Sequence, residues 1–233
     1  MWWDLKYEPQ REVRLRTTPP GKPWVKLNAD GWRPLVSWRG SRLQPEVAPG
    51  TYTVKLKVAG REFSQPLTIL KDPVAPGTDA DIKQQITLML DLRDKADETA
   101  DMINRLEWTR KQLETVSAML AGDPKGTAVL KAARELEQKL VAVENQLEDT
   151  NLTGRTEDSF RNPMGLYTRI VSLGLNVNKG GDLPPTSQQN EVSEEFTKRL
   201  ATYRGQYKGL MDADVAAFNS LLKTNGYGVA IHP

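Results

Sequence analysis

The chain has 233 residues, 38% of them hydrophobic, with one histidine, no cysteine and a formal net charge of +2. That is enough apolar material for a buried core, while the lack of cysteine excludes disulfides, thiol nucleophiles and thiolate metal sites. Residues 1–72 hold 13 Lys and Arg against 7 Asp and Glu (+6) and the rest hold 19 against 23 (−4), but the basic residues are scattered, which argues against nucleic acid as a partner.

In chain order, Met1-Trp2-Trp3-Asp4-Leu5-Lys6 lacks the basic start and apolar stretch of an export signal, and no run reaches the ~20 apolar residues of a membrane span. Trp2–Tyr7 and Glu12–Thr17 read as weak strands, and the prolines at 19, 20, 23, 34, 45 and 49 break the chain between them into loops and edge pieces. Thr51–Val58 alternates strictly, with Tyr52, Val54, Leu56 and Val58 on one side, which predicts a half-buried strand. Ala59-Gly60 supplies a turn and Phe63, Leu67 and Ile69 resume the two-residue period, so residues 51–70 predict a β-hairpin.

Five of the six tryptophans fall within residues 1–38. Trp2 and Trp3 are expected in the core of a small sandwich, whereas Trp24, Trp32 and Trp38 lie in the proline-rich region and are the candidate ligand-binding residues, able to stack on sugar rings.

Residues 73–79 carry two prolines and read as a linker, with Thr78 or Asp79 capping the helix that follows. From Ala80 to Leu120 the positions Ile82, Ile86, Met89, Ala96, Ile103, Leu106, Leu113 and Leu120 recur at threes and fours, predicting one helix about 60 Å long. Gly122-Asp123-Pro124 ends it, and Val129, Ala133, Leu136, Leu140, Val143 and Leu147 line a second helix antiparallel to the first. Residues 151–162 read as a loop, Pro163 opens a shorter third helix, and 180–185 break it. A last helix runs from Gln188 to about Thr224, with Gly205 and Gly209 positioned for a close helix approach, before Asn225-Gly226 stops it.

The carboxylates on these helices do not make a di-iron pattern, which needs Glu-x-x-His pairs, because the one histidine is His232 near the end of the chain. The same fact removes Ser-His-Asp and zinc-hydrolase schemes, and no phosphate-binding glycine loop is present. No catalytic residue, metal ligand or cofactor is therefore assigned. Paired carboxylates for glycoside hydrolysis remain compatible with the composition.

The order Trp3-Asp4-Leu5-Lys6-Tyr7, Val47-Ala48-Pro49-Gly50-Thr51-Tyr52-Thr53-Val54, Gln65-Pro66-Leu67 and Lys71-Asp72-Pro73 resembles the C-terminal part of exported bacterial proteins with BNR-repeat, sortilin-like β-propellers, often labelled glycosyl hydrolases. Asp79-Ala80-Asp81-Ile82, Leu92-Arg93-Asp94, Leu140-Val141-Ala142-Val143-Glu144 and Phe218-Asn219-Ser220-Leu221-Leu222 continue the resemblance through the helical half. It implies an exported protein and a propeller preceding residue 1, and carries over no catalytic residue. It also implies that the chain starts inside a sandwich whose sheet has an unpaired edge, a route to self-association. The expected fold is α+β: an incomplete Ig-like or fibronectin-like antiparallel β-sandwich at 1–72, a linker at 73–79, an antiparallel helical bundle at 80–226 and a tail at 227–233. The expected function is a non-catalytic accessory and protein-interaction region, with the propeller or another protein as partner. Alternatives are a carbohydrate-binding module taking polysaccharide through its Trp-rich loops, or a glycoside hydrolase-associated fragment.

Overall fold

The computed structural model describes residues 2–35, 42–155, 158–178 and 181–232. The chain is α+β. Four short or medium strands, β1 (Arg14–Leu15), β2 (Arg33–Pro34), β3 (Gly50–Val58) and β4 (Arg61–Ile69), precede the helices α1 (Asp79–Met119), α2 (Thr127–Leu147), α3 (Asp158–Arg161), α4 (Leu166–Asn178), α5 (Ser187–Gly209) and α6 (Ala216–Thr224).

The helical half follows its periodicity closely. Thr78 caps α1: its hydroxyl accepts from Asp81 N at 3.2 Å while the Asp81 carboxylate accepts from Thr78 N at 2.9 Å, a reciprocal capping box. Asp123 and Pro124 start a single 3₁₀ turn that reverses the chain into α2. α3 occupies part of the expected loop at 151–162, and α4 begins at Leu166 rather than at Pro163. α5 and α6 are one continuous run joined by a π-helical segment, Leu210–Val215, that buries Leu210, Met211 and Val215. α1 is the central element and packs on α2, α4 and α5. An added Cβ at Gly205 or Gly209 would meet nothing within 4 Å, so these glycines serve no close helix approach. Close approaches occur instead at Gly165 against the end of α2, and at Gly174, where a Cβ would lie 2.4 Å from Leu43 Cδ2.

The β half departs from expectation. Among the described residues there are two separate two-stranded antiparallel sheets, β1–β2 and β3–β4, which make no contact with each other, so these strands do not form an Ig-like sandwich. The Trp2–Tyr7 strand shrinks to one bridge, Lys6 to Glu46, and the Glu12–Thr17 strand to two residues. The reason lies in where the backbone finds partners. Arg11 N donates to Asp97 Oδ1 at 2.6 Å, Arg14 N to Asn104 Oδ1 at 2.7 Å and Thr17 N to Glu107 Oε2 at 2.6 Å, so side chains along one face of α1 replace a neighbouring strand. Val13, Leu15 and Leu43 accordingly join the same hydrophobic core as Leu92, Ile103, Leu140, Leu166 and Ile170 instead of closing a core of their own. Trp2 and Trp3, expected inside, are 87% and 41% exposed.

Candidate functional site

The β3–β4 hairpin is the surface feature with the clearest functional content. Ala59 (φ 48°) and Gly60 (φ 78°) make a two-residue turn with both residues left-handed, the geometry that matches strand twist, and all nine residues of each strand pair in register. The pairing sets Tyr52 opposite Leu67, Val54 opposite Gln65, Leu56 opposite Phe63 and Val58 opposite Arg61, so one face is mostly apolar and carries Gln65 and Arg61 among its apolar side chains. That face was expected to be half-buried. Instead Val54, Leu56, Val58 and Phe63 are 48–55% exposed, because among the described residues the hairpin contacts no other strand or helix. Only its base is anchored: Tyr52 Oη donates to Ala48 O at 2.7 Å and Trp3 packs edge-on against the Tyr52 ring with centroids 6.0 Å apart. The opposite face is polar, with Lys55 and Lys57 both paired to Glu62 at 2.8 and 3.4 Å.

The candidate tryptophans do not form one platform. Trp24 is 67% exposed and lines a cleft of about 390 Å³ with Lys22, Lys26, Arg155, Arg161 and Asn162. Trp32 is not part of that cleft and carries the Arg14 guanidinium over its ring at 5.1 Å, a cation–π contact. Trp38 lies outside the described residues. Asp158, at the floor of the Trp24 cleft, is buried and saturated by Thr153 and by the backbone N–H groups of 153, 154 and 155, which hold the loop in place.

A second polar constellation escaped the sequence reading. Inside the bundle, Arg110 of α1 donates to Glu107 at 3.0 Å and to Glu144 and Glu137 of α2 at 2.9 Å each, with Arg110, Glu107 and Glu144 all at most 3% exposed. Glu107 also accepts from the Thr17 hydroxyl at 2.9 Å and from backbone N–H groups of 16 and 17. Burial pushes the Glu144 carboxyl well above the ordinary range, helped by the like charge of Glu107 and opposed by Arg110. Burial alone would lower Arg110, but Glu144, Glu137 and Glu107 around it hold it above its ordinary value. Glu148, at the end of α2, is likewise raised by burial, although it accepts from Gly165 N at 3.0 Å, Thr168 N at 3.2 Å and the Thr168 hydroxyl. A signal for this cluster existed in the sequence: Arg110 falls between Leu106 and Leu113, and Glu144 between Leu140 and Leu147, on the same spacing as the core. Glu107 and Glu144 are buried while Glu137 is about a third exposed, and the cluster clamps α1, α2 and the 16–17 segment together.

No family model, curated protein or solved structure matches this chain. The described residues contain no group of three or more His, Asp or Glu side chains placed to hold a metal ion, and no helix among them is long and apolar enough to cross a membrane. What the geometry offers is an apolar β surface and a cationic cleft with an aromatic wall.

Proposed function

We propose that this chain is a non-catalytic accessory and protein-interaction region of a larger exported β-propeller protein, docking through the apolar face of the β3–β4 hairpin. The observation that carries this reading is the exposure of Val54, Leu56, Val58 and Phe63 on a two-stranded ribbon that, among the described residues, packs on no other strand or helix and is held at its base. A lone two-stranded hairpin is marginal in water and gains stability from a third strand or a covering layer, and a cluster of exposed apolar side chains on such a ribbon supports an interaction surface. In this reading the hairpin is half of an Ig-like sandwich whose facing layer comes from the partner, and the partner is placed in a propeller protein by the sequence resemblance alone.

Leu56→Asp/Phe63→Asp tests the reading, because neither side chain contributes to the core. In an envelope extract of the native host, the wild-type chain is expected to elute in an assembly and the double variant as the free chain, with the helical signal unchanged. Elution of the two at the same position would sink the reading.

Trp24 supports a second reading, in which the cleft with Lys22, Lys26, Arg155 and Arg161 takes an acidic polysaccharide: the aromatic face stacks on a sugar ring and the cations pair with uronate carboxylates. Polygalacturonate is then expected to quench tryptophan fluorescence in the wild type and in Trp32→Ala but not in Trp24→Ala. Equal quenching in all three would remove Trp24 from consideration.

A further inference from the structure

The hairpin's two edges are not equivalent, and the difference identifies the partner's chemistry. A two-residue turn closes on a hydrogen-bonded pair, so Val58 and Arg61 exchange bonds and the pattern alternates from there. Residues 52, 54, 56 and 58 of β3, and 61, 63, 65 and 67 of β4, thereby use their backbone groups within the hairpin. Residues 51, 53, 55 and 57, and 62, 64, 66 and 68, turn theirs outward. Pro66 falls in the outward set, opposite Thr53, and removes the N–H from the middle of the β4 edge. The β3 edge has no such block: Thr51, Thr53, Lys55 and Lys57 each present an N–H and a C=O, and no other element among the described residues pairs with them.

Charge narrows the occupant. Lys55 and Lys57 share a single carboxylate, Glu62, on the polar face. A second copy pairing along β3 would bring two more lysines to that face with one more Glu62, leaving the positive excess uncompensated. An added strand with carboxylates on that side would compensate it, while its other side extends the apolar face of Val54, Leu56 and Val58.

We infer that the outer edge of β3 receives an extended segment of a partner polypeptide that alternates apolar residues with Asp or Glu, adding a third strand to the hairpin. This rests on the reading of the hairpin as the docking element, and specifies which edge docks and what it recognises. Backbone bonds supply the pairing and the alternating side chains the selectivity, as in other strand-addition complexes.

The probes are two fluorescent peptides of nine residues, the length of β3, alternating Val with Glu or Val with Lys. Anisotropy is expected to show the Val–Glu peptide binding the full chain and the Val–Lys peptide failing to compete. Lys55→Gln/Lys57→Gln should weaken Val–Glu binding about tenfold through two lost cross-strand charge pairs. Thr53→Pro, which removes an outward N–H and no bond of the hairpin, should abolish it. Equal binding of the two peptides would overturn the inference, as would unchanged affinity in either variant. A dimer of the chain alone that Lys55→Gln/Lys57→Gln strengthens would assign the edge to a second copy and overturn it too. If Leu56→Asp/Phe63→Asp releases the native assembly while the two edge variants retain it, the face docks but the edge does not. An assembly that survives Leu56→Asp/Phe63→Asp means that the docking reading itself has failed.

Discussion

Replacing Arg110 by methionine is expected to remove about 3–5 kcal/mol of stability at neutral pH, the range for leaving a buried charge without its partner. Methionine keeps most of the volume, so the loss reports the charge and not a cavity. Arg110 hydrogen-bonds Glu107, Glu137 and Glu144 together, and two of those carboxylates are at most 1% exposed. Without it they must share the interior unpaired or take up protons. The loss is therefore expected to shrink toward pH 4.5, the ordinary carboxylate value, and denaturant melts at two pH values measure it. The wild type is expected to follow the same linkage in weaker form. Glu144 and Glu148 are raised in the folded state, so above 4.5 the fold retains protons that the unfolded chain has released, and stability falls as the pH rises toward their folded values. Glu144→Gln, a neutral side chain of the same shape, should flatten that slope. A loss on Arg110→Met that is the same at both pH values would show that the cluster is not electrostatically coupled.

Gly165→Ala is expected to cost about 3 kcal/mol, the upper end of overpacking, because the added methyl has only backbone to push against. Its Cβ would lie 2.4 Å from Glu148 Cα, 2.4 Å from Leu147 O and 2.8 Å from Glu148 N, so the last turn of α2 and the start of α4 must separate. Separation also breaks the bond from Gly165 N to the Glu148 carboxylate, which would leave a buried anion short of a donor. Two other glycines calibrate the result. Gly174→Ala meets the Leu43 side chain alone, at Cδ2, Cδ1 and Cγ, and no backbone, so about 1 kcal/mol is expected, and Gly205→Ala, mid-helix in open space, should stabilise by about 0.5–1 kcal/mol. Thermal melts of the three variants check the order. Gly165→Ala melting with the wild type would mean that α2 and α4 are not tightly joined there.

The helices were legible because their cause is local. A stripe such as Ile82, Ile86, Met89 and Leu120 needs a helix to lie on one face, Thr78 with Asp81 caps it wherever it packs, and Asn225-Gly226 ends the last run. The hairpin, read at 51–70 and observed at 50–69, was legible for the same reason: strict alternation over 51–58, the Ala59-Gly60 turn and the resumed period at Phe63, Leu67 and Ile69 define its strands. The candidate site was legible only in part. Trp24 is exposed, but nothing in the sequence separates it from Trp32, which packs under Arg14, and Trp38 lies outside the described residues.

By itself, then, the sequence determined the helical periods, their caps, the hairpin register and the division of its residues into an apolar and a polar face, all of which depend on neighbours within a few positions. The tertiary structure decided what those faces meet. It laid residues 11–17 along α1, whose Asp97, Asn104 and Glu107 satisfy backbone that would otherwise pair with a strand. It closed three carboxylates around Arg110, and it left the apolar side of β3–β4 in water. Alternation states that a face is apolar; only the packing of distant segments determines whether anything covers it.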